Sequence, residues 1–221
     1  MQRFESYQSI AVAGRELRQN YQLLISCVVP RPIAFVTTLS ATGVVNLAPF
    51  SFFNGVGGNP PAVMFSPCNS RTGQPKDTVV NLRHLGEFVV NVVPHAIAEA
   101  MNDASFEYPP EVSELEACGF TALSSVYVKP PRVAESPVHM ECRLVQIVPV
   151  GTGPLAANVC IGEVICFHVA EGFLSLDGTV DIAKLDAVGR LGGELYSFTR
   201  ERFRLPRPAV PNSATQRQPK S

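Results

Sequence analysis

The chain has 221 residues, 18 of them basic and 19 acidic, with a formal net charge of −1 and 46% hydrophobic content. That length suits one large domain with enough apolar material for a core, and the near-neutral balance argues against a nucleic-acid binder, which carries a basic patch against phosphates. The longest clean apolar runs, such as LLISCVV at 23–29, fall short of the roughly 20 residues that cross a membrane, and the first residues lack the apolar stretch of a signal peptide, so a cytoplasmic protein without a membrane partner is expected.

Residues 1–16 read as an N-terminal extension, and 17–205 as one domain. Leu17, Tyr21, Leu24, Ile25 and Val28 recur at helical spacing. They predict an amphipathic helix over 15–28 with one buried stripe, stopped by Pro30 and Pro32. IAFVTTL at 33–39 is β-branched and apolar, so a strand. SATG at 40–43 is a turn, and VVNLAPF at 44–50 resumes extended structure. PPAVMFS at 60–66 reads as the next strand, with its prolines at the start, where a missing N–H is tolerated. GVGGN at 55–59 is no dinucleotide fingerprint, because no βαβ unit surrounds it.

A polar loop at 67–77 leads into a helix, TVVNLRHL, that Asp77 or Thr78 is expected to cap. EFVVNVV at 87–93 alternates as a strand, and HAIAEAMND at 95–103 looks like a short helix. Residues 104–137 are rich in Pro, Ser and Glu and predict a long excursion around the core. Two long strands follow at 139–150 and 158–170, joined by the hairpin loop GTGPLAA. The first slips phase at Leu144 and Val145, which predicts a bulge. The second is apolar on both phases, so it is expected to be buried on both faces. Residues 206–221 are Pro-rich and polar, and disorder is expected there. Strands dominate, so the class is mainly β: an antiparallel barrel with peripheral helices.

Six cysteines, with no C-x-x-C, read as reduced and mostly buried thiols. Four histidines without ligand spacing give no zinc site. No serine–histidine–acid arrangement follows from the spacing, and no catalytic side chain is assigned. Three stretches can carry chemistry. Lys76, Asp77 and Thr78 place a positive charge at a helix N-terminus, which suits phosphate; the competing reading is a capped surface helix. The stretch at 44–65 has no charge, while Asn46, Ser51 and Asn54 offer hydrogen-bonding groups and Pro49 breaks the strand. It suits a planar heterocycle, or a barrel strand and a dimer interface. GRLGGELYSF at 189–198 has three glycines that allow close approach, with Arg190 and Tyr196 in reach of a ligand or a partner, or is a turn before a last strand.

Taken together, VPRPIAFVTT, GVVNLAPFSFFN, NPPAVMFS, KDTVVNLRHLGEFVVNVV, PPRVAESPVHMECRL, IGEVICFHV and VGRLGGELYSF resemble the flavin reductase-like family of FMN-binding split-barrel proteins. The ordered match spans roughly 17–200. The resemblance implies a six-stranded antiparallel split barrel, a homodimer, and one FMN per subunit near the dimer interface. It implies that Thr37, Thr38, Asn46, Ala48, Pro49, Phe50 and Ser51 line the isoalloxazine and ribityl chain. Ser66, Cys68 and Asn69 would pass near the flavin. Lys76, Asp77 and Thr78 match the phosphate motif, and Arg190 and Tyr196 lie in the C-terminal glycine-rich motif, approaching the flavin or the dimer contact. The implied reaction is hydride transfer from NADH or NADPH to flavin N5, with supply of reduced flavin to a monooxygenase partner as one role. The alternatives are an FMN-dependent enzyme acting on a specific organic substrate and a non-enzymatic electron carrier.

Overall fold

The computed structural model describes residues 3–208. Residues 209–221, most of the tail expected to be disordered, lie outside the described residues. The chain opens with α1 (Leu17–Cys27), then β1 (Ala34–Leu39), β2 (Val45–Phe50), β3 (Phe53–Gly58), β4 (Pro61–Phe65), α2 (Asp77–Leu85) and β5 (Glu87–Val92). A 3-10 turn (His95–Ile97) leads into α3 (Ala98–Asp103), then α4 (Glu114–Ala117), β6 (Ala122–Leu123) and β7 (Arg132–Val133). The long pair β8 (Val138–Val150) and β9 (Ala157–Val169) precedes α5 (Ile182–Leu185), β10 (Val188–Arg190) and β11 (Tyr196–Phe198).

The main sheet has seven strands in the order β2-β1-β5-β8-β9-β4-β3, all paired antiparallel. Six strands were expected. The seventh is β3, FNGVGG, whose glycines carry little strand propensity and whose last five residues are exposed. It is held by its hairpin partner β4, with a register shift between Gly55 and Gly57. Only two residues separate β2 at one edge of the sheet from β3 at the other. In a flat sheet β2 and β4 would stand about 24 Å apart, five strand spacings. Instead the rings of Phe50 and Phe65 are 5.3 Å apart, so the sheet is rolled until its edges approach.

Rolling gives the sheet two buried faces. Ala34, Val36, Phe65, Phe88, Val90, Cys142 and Cys160 fill one with Leu82 of α2, while Phe35, Leu47, Met101, Leu115, Phe120 and Val133 pack on the other. Strand β1 contributes to both, so its run of apolar residues on both phases is explained. The expectation for β9 is only half met: Asn158, Cys160, Gly162 and Val164 are buried, but the alternate positions are half-buried and Phe167 is exposed. The bulge in β8 is where the phase slip put it. Leu144 pairs with Gly162 and Gln146 with Ile161, leaving Val145 unpaired and exposed.

The excursion at 104–137 is pinned by a buried carboxylate. Glu141 of β8 accepts the N–H groups of Val126 (2.8 Å), Tyr127 (2.6 Å) and Val128 (3.2 Å), and His168 Nε2 donates to it at 2.6 Å. Helix α1 departs from expectation. Ile25 is its one buried residue, while Leu17, Tyr21, Leu24 and Val28 of the apolar stripe are exposed. The stripe faces away from the chain's own core. Among the described residues no helix is long and apolar enough to cross a membrane.

Candidate functional site

The site is built where α2 meets β2. Lys76 is the N-cap residue of α2, and no side chain caps it; the expected capping by Asp77 or Thr78 is absent because both lie inside the first turn. The N–H groups of Val79 and Val80 return to the Lys76 carbonyl. Those of Asp77 and Thr78 have no partner among the described residues and are left to a ligand or solvent. Thr78 Oγ1 accepts from Asn46 Nδ2 at 3.0 Å, which ties the helix start to the strand.

A cleft of about 230 Å³ opens over this junction, lined by Asn46, Ala48, Pro49, Phe50, Lys76, Asp77 and Thr78, and walled on the far side by residues 104–108 and Glu114. A second cleft of about 240 Å³ shares Pro49 and Ser105 with the first and adds Tyr21, Ser51, Arg190 and Tyr196. Ten of the expected residues therefore gather around two adjoining clefts. The guanidinium of Arg190 lies 4.4 Å from the Tyr196 ring centroid, and the Tyr196 hydroxyl donates to Asn102 Oδ1 at 3.0 Å.

Thr37, Thr38, Ser66, Cys68 and Asn69 do not line either cleft. Their polar groups are engaged elsewhere. Thr37 Oγ1 donates to the Pro131 carbonyl at 2.6 Å, and Thr38 Oγ1 accepts from Asn81 Nδ2 at 3.1 Å. Asn69 is held between the Gly153 carbonyl and Asn158 Nδ2. Ser66 is buried beside Phe52, whose carbonyl takes its N–H. Burial pushes the Cys68 thiol up, against the pull of the nearby Lys76 charge. All six cysteines are free, and burial pushes Cys160 up to about 12, so it is an unreactive thiol.

Sequence reasoning missed five contributors. Arg31, 4% exposed, donates to the carbonyls of Ile25 and Val28 at 2.6 Å, to Leu191 at 2.9 Å and to Ser51 Oγ at 3.2 Å. It joins the end of α1, the corner after β2 and the glycine-rich segment; its only signal was a lone cation between two prolines. Glu114 accepts the Leu47 N–H at 3.0 Å on the open edge of β2, and burial raises its carboxyl despite that bond. Phe106 and Tyr108 form an edge-to-face pair, centroids 5.1 Å apart, on the cleft wall. Between them Glu107 meets Lys76 Nζ at 2.7 Å.

Free N–H groups, a lysine and a hydroxyl at one end suit a phosphate. The wall of Ala48, Pro49 and Phe50 suits a flat apolar surface. A phosphorylated planar heterocycle fits both. Residues 25–179 match the flavin reductase like domain. The chain belongs to the flavin reductase-like family. Three solved structures of similar proteins cover nearly the whole chain. Nitrilotriacetate monooxygenase component B from Bacillus cereus is 36% identical over 91% of this chain and 100% of that one, with a TM-score of 0.87. The 2-nitrobenzoate 2-nitroreductase NbaA of Pseudomonas fluorescens is 33% identical over 91% and 96%, with a TM-score of 0.82. A Shewanella frigidimarina protein with a split barrel domain is 25% identical over 88% and 95%, with a TM-score of 0.77. The rolled sheet of this flavin reductase-like chain is thus similar to a split barrel.

Proposed function

We propose that this protein binds FMN in the joined clefts and works as an NAD(P)H:flavin oxidoreductase. The start of α2 carries the reading: an uncapped helix end, Lys76 and Thr78 open on the same cleft as Ala48, Pro49 and Phe50. Residues 76–78 hold the phosphate, Asn46 positions Thr78, and the Pro49 wall orients the ring system. Ser51, fixed by Arg31, and Arg190 with Tyr196 extend the site toward the second cleft. Of the expected residues outside the clefts, Thr38 anchors α2 through Asn81. FMN held there would supply the hydride-accepting chemistry toward NADH or NADPH, which belongs to the cofactor. The chain's task is binding and orientation, so no side-chain acid or base is assigned.

Likeness to a monooxygenase component B supports supply of reduced flavin to a monooxygenase partner. Likeness to a nitroreductase supports a second reading, in which FMN stays bound and an organic substrate is reduced directly. The exposed stripe of α1 supports a homodimer. Titration with FMN and with riboflavin tests the site. Lys76→Ala is expected to weaken FMN by about 1.5–3 kcal/mol and to leave riboflavin unchanged. Unchanged FMN affinity in that variant contradicts the assignment. Gel filtration of the loaded protein separates the two readings: FMN that washes off favours supply of reduced flavin, and FMN that co-elutes favours the second.

A further inference from the structure

Among the described residues that line the first cleft, Lys76 is the one cation, and the acidic residues Asp77, Glu107 and Glu114 line the same cleft. Its ammonium is already engaged. Glu107 holds it at 2.7 Å, from the wall opposite α2. The hydrogen bond and charge of Lys76 keep the Glu107 carboxyl below the usual carboxylate range, so it is an anion at neutral pH. The Glu107 side chain is 64% exposed and that of Lys76 37%. Such a pair is weak, because water and salt screen it, and Glu107 has open solvent to swing into.

We infer that Glu107 is an affinity-setting residue that competes with the ligand's phosphate for Lys76 and so keeps phosphorylated flavin exchangeable. The inference rests on the FMN reading above and deepens it. A phosphate arriving at residues 76–78 meets a lysine whose charge is cancelled and a carboxylate that repels it. It binds only when Glu107 turns away. The displacement is small for an exposed pair, so the phosphate still wins, but its hold is loosened. Riboflavin has no phosphate and meets no such competition. Glu107 thereby bears on whether flavin passes through the protein or stays in it.

The test is fluorescence titration of the wild type, Glu107→Gln and Glu107→Lys with FMN and with riboflavin, at low and at high salt. Glu107→Gln is expected to bind FMN about 1.5- to fivefold more tightly than the wild type, the span of an exposed ion pair, with slower FMN dissociation. Glu107→Lys is expected to gain more, and the gain is expected to shrink at high salt. Riboflavin affinity is expected to stay the same in all three. Wild type that binds FMN while both variants bind it equally tightly overturns the inference and leaves the FMN reading standing. An equal gain for riboflavin also overturns it, because Glu107 would then act on the cleft and not on the phosphate. Wild type that binds neither flavin overturns both.

Discussion

At the residue scale, Glu141 shows how one side chain fixes a long loop. It is fully buried, yet three backbone N–H groups and His168 satisfy it. Burial alone would raise its carboxyl; the bonds from Val126, Tyr127 and His168 outweigh burial and leave it below the usual range. A depressed pKa means stability that is present above the unfolded value, about 4.3, and lost as pH falls through the folded one. Urea unfolding curves are expected to shift to lower denaturant over that acidic window. Glu141→Ala strands three backbone donors and His168 and is expected to lose about 3–5 kcal/mol at neutral pH, with a flatter acid response. An unchanged midpoint for the variant contradicts this role. None of it was legible in the sequence, where Glu141 read as one more position of an alternating strand. The family resemblance set Thr37 and Thr38 along the flavin; their hydroxyls serve Pro131 and Asn81, partners far along the chain that no local pattern encodes.

At the element scale, local pattern did well where periodicity was strong. The β8–β9 hairpin, the bulge at Val145 and helix α2 all follow from apolar spacing and turn residues. Strand β3 was missed because three glycines hide its alternation, and its place comes from the hairpin with β4. The residues that wall the first cleft were missed for a related reason: 104–121 meets β2 through Glu114 and Leu47, a contact across 67 positions that no local pattern encodes. Gly162 of β9 gives a sharp test of the rolled sheet. A Cβ there would lie 2.3 Å from Cζ of Phe88 and 3.3 Å from the Arg143 carbonyl. Both neighbours are packed, so neither can yield cheaply. Gly162→Ala is expected to lower stability by about 1–3 kcal/mol, the usual penalty of overpacking, read by thermal or denaturant unfolding. A neutral result would mean that the ring of Phe88 does not fill the space over β9.

At the scale of the whole molecule, two readings of one stretch can both stand. The run at 44–65 faces the first cleft through Ala48, Pro49 and Phe50 and the core through Leu47 and Phe65. The stripe on α1 is the larger surprise, since spacing announces an apolar face but not what covers it. Soluble chains seldom leave such a face to water, and a second copy is the occupant proposed here. Leu24→Glu is expected to convert a dimer to a monomer by light scattering with the fold intact; a monomeric wild type would sink that reading. The most direct measurement of the central claim is an anaerobic visible spectrum of the protein with FMN, before and after NADH and then NADPH. Perturbed flavin bands that bleach with one donor are the result expected of a flavin reductase. Flavin bands that match free FMN, or that shift on binding but never bleach with either donor, would contradict it.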